Sequence, residues 1–283
     1  MYGILRPMIP SLPSLKILPI ESLILHEDHD MQRTLPLVEK LRAQGIIRNP
    51  PIVMPLNDGS DRYMVLDGAN RVTSLRELEF PHIVAQVVAT DDPHVNLQTW
   101  NHVVWGMNVK TLMASLRKIK GIEPAKVNRL KSLDAPKYVP MQIRFPNESF
   151  YILNETPSDL GTHIQTMHSV VNTYKMRASL DRTSQTLIDT FKKVYSDLTA
   201  LVIFPHFKIK TVLKLASQNI LLPTGITRFT VSPRALHLNY PLHELSSGKP
   251  LEYKQEYLVR WIEERVKKKG IRLYSEATFL FDE

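Results

Sequence analysis

The stretch "NPPIVMPLNDGSDRYMVLDGANRVTSLREL", residues 49–78, constrains the fold of this 283-residue chain more than any other part of it. Two short apolar segments separated by the turn "NDGSD" read as strands, and the second runs without a spacer through Asp67 and Gly68 into the helical pattern "RVTSLREL". Around it, "LPLVEKLRAQG" reads as a helix with Leu37, Val38 and Leu41 on one side and Gly45 as its stop. "IESLILHEDHD" reads as a short strand or turn leading to acids, and "HIVAQVV" as a further strand. The first ninety or so residues therefore form a compact mixed α/β unit.

From "NLQTWNHVVWGMNVKTLMASLRKI" the pattern turns helical, with Trp100, Val103, Val104 and Met107 at the spacing of a buried face. "MQIRF" and "FYILNE" then read as a hairpin, followed by helices at about 159–176 and 184–197. "ALVIFP" and "GITRFTVSP" are strands flanking the helix "KIKTVLKLASQ", and a last helix near 253–269 precedes a final strand "IRLYS". The expected fold class is α/β in the α+β sense. Residues 1–95 would form one unit and 96–283 a larger mixed α/β unit, with the natural ligand site in the cleft between them. No internal repeat or low-complexity segment interrupts this plan.

The absence of cysteine removes disulfides, thiolate nucleophiles and sulfur-ligated zinc, although His, Asp and Glu could still hold a metal. No apolar run approaches the roughly 20 residues of a membrane helix, which points to a cytoplasmic protein. The formal charge of +8 is uneven: residues 1–90 hold 9 Lys and Arg against 10 Asp and Glu, so the basic character lies in the later part. That field favours anionic partners, among them nucleotides, phosphorylated metabolites and nucleic acid, without choosing among them. The basic run "RVKKKGIR" at 265–272 reads as a solvated helix end.

Three stretches could carry chemistry. In "DGANR", Gly68 would let the backbone approach a ligand, N–H groups of Ala69 and Asn70 at the helix start would face phosphate oxygens, and Arg71 would add a forked cation. Asp67 stands where a magnesium ligand or proton acceptor is useful; an ordinary capped turn gives the same local pattern. "HEDHD", His26 to Asp30, offers a general base in Glu27 or metal ligands in His26 with His29 or Asp30, although clusters of this size also occur on solvated loops. "TWNH" places Trp100 and His102 on the first turns of a helix, and "GITRF" places Thr227 and Arg228 on a strand.

These pieces together resemble a known family. Asp67-Gly68-Ala69-Asn70-Arg71, preceded by His26-Glu27 and "GIIRNPPIV", resembles the ParB/sulfiredoxin-like fold, whose members hold nucleotide phosphates with a Gly-x-x-Arg element. The fuller set "HE", "NPPIV", "VLDGANRV", "TWNH" and "GITRFTVSPRAL", in this order, is similar to its free serine kinase branch, from about Ile20 to about Leu236. That branch phosphorylates free L-serine to O-phospho-L-serine; it includes archaeal ADP-using enzymes of cysteine biosynthesis and a bacterial ATP-using relative that supplies siderophore synthesis. Ala69 and Asn70 stand where the archaeal enzymes tend to carry two histidines, which leaves ATP and ADP both open as donor.

The resemblance implies Glu27 as general base on the serine hydroxyl, and Asp67 as an acid near Mg²⁺ and the transferred phosphoryl group. It also implies Gly68, Ala69, Asn70 and Arg71 as the nucleotide-holding turn, and Trp100, His102, Thr227 and Arg228 around the amino acid. Phosphoryl transfer needs alignment, charge neutralisation and an acceptor for the hydroxyl proton, and these residue types supply each. The chain has neither a Walker loop nor the His-Arg-Asp and Asp-Phe-Gly elements of protein kinases. Sulfiredoxin chemistry, which needs a thiol, is excluded by the missing cysteine. A ParB-like DNA-binding regulator is the other class the motif allows, but residues 96–200 show no helix-turn-helix pattern, and the segment between their best helices reads as strands.

Overall fold

The computed structural model describes residues 12–28, 31–126, 141–147, 149–154 and 159–274. The first part of the chain builds β1 (Leu15–Pro19), β2 (Leu23–Ile24), α1 (Met31–Gln44), β3 (Ile46–Ile47), β4 (Ile52–Pro55), β5 (Tyr63–Asp67), α2 (Ala69–Glu77) and β6 (His82–Val87). Five of these strands form one sheet in the order β1-β6-β4-β5-β2. The hairpin of β4 and β5 is antiparallel, and Gly45 ends α1 with φ of 64°.

Alternation along β4 and β5 places this sheet between two cores. Val53 and Val65 face one core with Leu41, Val72 and Leu75 from the helices, while Ile52, Met54, Met64 and Leu66 face the other. Successive side chains on a strand point to opposite faces, so a slip by one residue would exchange these sets. With each large buried side chain contributing about 1.5–3 kcal/mol, the register is firmly set. That register delivers Asp67 and Gly68 to the end of β5, where α2 begins.

The chain continues through β7 (Val95–Thr99), β8 (Asn101–Trp105), α3 (Val109–Leu116), β9 (Ile122–Lys126), β10 (Met141–Arg144), β11 (Ser149–Asn154), α4 (Leu160–Asn172), β12 (Ser179–Thr183), α5 (Asp189–Lys192), β13 (Leu198–Ile203), α6 (Ile209–Ser217) and β14 (Thr227–Val231). A second sheet runs β12-β8-β13-β10-β11-β9, and β14 pairs with β7 as a separate ribbon. Last come β15 (Tyr240–Pro241), α7 (Leu242–Ser246) and α8 (Leu251–Lys267). Tyr240, Leu242, Leu245 and Leu258 return to the first core, so the end of the chain completes the packing of its beginning.

Three sequence expectations are corrected here. The stretch around "TWNH" is two strands, β7 and β8, and the helix starts only at Val109. "VNLQT" alternates buried or half-buried with exposed positions, a period of two, whereas Trp100, Val103, Val104 and Met107 matched helical spacing by coincidence. The helix expected over 184–197 shrinks to the single turn α5 after strand β12, and residues 271–274 form no strand. The hairpin of "MQIRF" and "FYILNE" forms as β10 and β11. The basic run does close α8, with Arg265 stacked on Trp261 and the lysines exposed.

Candidate active site

A cavity of about 620 Å³ is lined by Asp67, Gly68, Asn70 and Arg71 at the junction of β5 and α2, and by Glu27, Thr227 and Arg228. The junction of β5 and α2 is a helix start. Gly68 has φ of 95°, and a Cβ there would meet Pro51 Cβ at 2.9 Å and Arg71 Nη2 at 3.0 Å. Pro51, from "NPPIV", thus presses on the turn so that only glycine fits. The first N–H groups of α2 have no partner within the helix, and Gly68 offers no side chain to cap them; a helix start of this kind suits phosphate oxygens.

Arg71 is oriented by the Asn49 carbonyl, which accepts from Nη1 at 2.7 Å, and its Nη2 reaches Asp67 Oδ2 at 3.4 Å. Arg234 also donates to Asp67 Oδ2. Two guanidinium groups therefore share one partly exposed carboxylate at the mouth of the helix start. Among the described residues, no group of three or more His, Asp or Glu converges as a protein-only metal site.

Glu27 is anchored by the turn at 225–227. Its Oε1 accepts the N–H groups of Ile226 at 3.1 Å and Thr227 at 2.6 Å and the Thr227 hydroxyl, while Oε2 accepts the Gly225 N–H at 2.6 Å. A backbone bridge from Glu27 to Leu222 fixes the chain on either side. Oε1 is saturated, but Oε2 keeps acceptor capacity for one more proton donor.

His26 ties this turn to the first sheet. Its Nδ1–H donates to the Val65 carbonyl at 2.6 Å, and Nε2 lies 2.7 Å from Thr227 Oγ1. The Thr227 hydroxyl has one proton for two neighbours, His26 Nε2 and Glu27 Oε1. The hydroxyl thus links the imidazole to the carboxylate.

Behind the turn, His102 is buried and does not line the cavity. Its Nε2–H donates to the Gly225 carbonyl at 3.2 Å, and Nδ1 accepts from the buried Tyr174 hydroxyl at 2.9 Å. Burial lowers its pKa to about 4, with the Gly225 carbonyl opposing and Arg182 adding to the shift. The folded state therefore holds His102 neutral over a range in which the unfolded chain binds a proton. Stability from this site is complete above pH 6.5 and is lost as pH falls toward 4, by about 3 kcal/mol in all. We expect nitrogen NMR to find His102 neutral at pH 5 and urea midpoints to fall from pH 7 to pH 5; an imidazolium at pH 6 would contradict this.

Of the residues singled out in the sequence, Glu27, Asp67, Gly68, Ala69, Asn70, Arg71, Trp100, Thr227 and Arg228 all line one cavity. His102 sits one layer behind them. Arg228 stacks over the Trp100 ring at 4.4 Å. His29 and Asp30 lie outside the described residues. Sequence reasoning missed Lys40, Arg48, Arg182, Thr224 and Arg234, which also line it. Arg234 stood inside "GITRFTVSPRAL", but only the fold brings it to Asp67.

No protein-family model matches the chain. It is 27% identical over 272 residues to the ATP-dependent L-serine kinase SbnI of Staphylococcus aureus, covering 95% of this chain and 97% of that protein. It is 30% identical over 140 residues to the ATP-dependent L-serine kinase of Staphylothermus marinus, covering 48% of this chain and 54% of that one. Among solved structures, SbnI with a C-terminal truncation from Staphylococcus aureus superposes with a TM-score of 0.73 over 89% of this chain and 97% of that chain, at 22% identity. A free serine kinase in complex with AMP gives 0.67 over 82% and 93%, at 15% identity.

Proposed function

We propose that this chain, homologous to the L-serine kinases and folded as they are, is an ATP-dependent free L-serine kinase that forms O-phospho-L-serine and ADP. The observation that carries the reading is one cavity lined by both a helix start suited to phosphate and an amide-anchored carboxylate, Glu27. ATP rather than ADP is assigned as donor because the curated relatives carry that name.

The helix start at Gly68, Ala69 and Asn70 holds the nucleotide phosphates with Arg71. Arg234, now on Asp67, is close enough to join them once phosphate competes for its guanidinium. Asp67 suits Mg²⁺, an ion that takes one or two carboxylates together with substrate phosphates. When bound there, Mg²⁺ would neutralise charge on the transferred group. Glu27 Oε2 receives the serine hydroxyl proton as the oxygen attacks the terminal phosphorus, and the bond to the ADP oxygen breaks. The His26–Thr227 pair fixes the Glu27 carboxylate during that transfer. Product formation tests the reading: O-phosphoserine and ADP should appear in equal amounts only when L-serine is added, and nucleotide bound without serine-dependent turnover would contradict it.

A further inference from the structure

We propose that Arg182 is the residue that receives the α-carboxylate of the substrate, and that it selects free serine over serine whose carboxyl group is an amide. The proposal rests on the kinase reading above and extends it to a residue in β12 that no motif of the sequence marked.

The placement comes from Gly225. A Cβ built on Gly225 would lie 2.3 Å from Arg182 Nε and 2.4 Å from Nη2, so the guanidinium lies directly against the glycine Cα. Gly225 has φ of 75° and donates its N–H to Glu27 Oε2 at 2.6 Å. Adding the N-to-Cβ span of one residue to these two short links keeps Arg182 Nε within about 7 Å of Glu27 Oε2. A serine whose hydroxyl meets Glu27 can place its carboxylate within that reach.

Charge supports the same position. A substrate carboxylate beside Glu27 brings two like charges together and requires a cation on its far side. Arg71 and Arg234 both reach Asp67 beside the helix start, and Arg228 lies on the Trp100 face, whereas Arg182 is the guanidinium set against Gly225, whose N–H Glu27 accepts. Arg182 lines the cavity next to the anchored turn, and its fork suits a carboxylate. An amide in place of that carboxylate would leave the guanidinium without its anionic partner, which is how a site built around a polar group rejects an analogue.

The test compares L-serine with L-serinamide in the wild-type protein, R182Q and R182K. We expect R182Q to lower kcat/KM for L-serine by roughly 10–100-fold, the loss of a charge-assisted hydrogen bond, while changing L-serinamide by less than about threefold and leaving the KM for ATP unaltered. R182K, which keeps charge without the fork, should fall between. An equal loss on both substrates, a raised KM confined to ATP, or no loss would overturn the assignment. Calorimetric binding of L-serine and L-serinamide to wild type and R182Q reads the same contact without turnover. An inactive wild-type protein would therefore defeat the kinase reading while the binding pair still decides Arg182: loss of serine preference in R182Q supports it, and unchanged preference overturns it.

Discussion

Replacing Glu27 by Gln is expected to lower kcat for phosphoserine formation by roughly 10²–10⁴-fold, the contribution typical of a general base, while leaving ATP affinity near wild type. The separation follows from the layout. In the proposed layout ATP is held by the helix start at Gly68–Arg71, whereas the Glu27 carboxylate accepts from the turn at 225–227. The amide oxygen can still accept from Ile226 and Thr227. Its NH₂ group, however, would face the Gly225 N–H in place of Oε2, so that turn loosens and the KM for serine should rise as well. The KM change reports the anchor and the kcat change the base. Steady-state kinetics with calorimetry of ATP reads both, and unchanged kcat with a raised KM would leave Glu27 an anchor alone.

Replacing Arg71 by Ala is expected to weaken ATP binding by roughly 10–100-fold, because a charge-assisted hydrogen bond contributes about 1.5–3 kcal/mol. Arg71 is held ready by the Asn49 carbonyl, so little side-chain freedom is lost on binding. The variant also leaves Asp67 with Arg234 as its remaining guanidinium partner among the contacts described. Serine binding, which the proposal assigns to Glu27 and its neighbours, should change little. Calorimetry showing wild-type ATP affinity would remove Arg71 from the phosphate site.

What the sequence made legible was local. The run from Ile52 to Glu77 gave hairpin, turn and helix correctly because each element carries its own signal: alternation, the Asn-Asp-Gly turn, and a glycine before a helical repeat. The stretch around Trp100 failed because apolar residues at four positions satisfied a helical period, while β7 and β8 are fixed by partners far away in the chain, Thr227–Val231 and Leu198–Val202. Non-local pairing overrode the local pattern.

The site divided in the same way. Glu27, Asp67 and Arg71 stood in short motifs, and the cavity gathers them. Their partnerships were not legible: that Glu27 would hold three backbone N–H groups nearly two hundred residues away depends on Gly225 adopting a left-handed turn. His102 was placed at the amino acid, whereas the strand directs it behind the turn, where burial keeps it neutral. Arg182 carried no signal, because an arginine on a mostly exposed strand reads as surface until Gly225 is seen beneath it.

The most direct test of the account is phosphorus NMR of the purified protein with Mg²⁺ and L-serine, run in parallel with ATP and with ADP. The account predicts an O-phosphoserine resonance growing with ADP in the ATP sample. Silence in both samples while calorimetry shows nucleotide bound would contradict it.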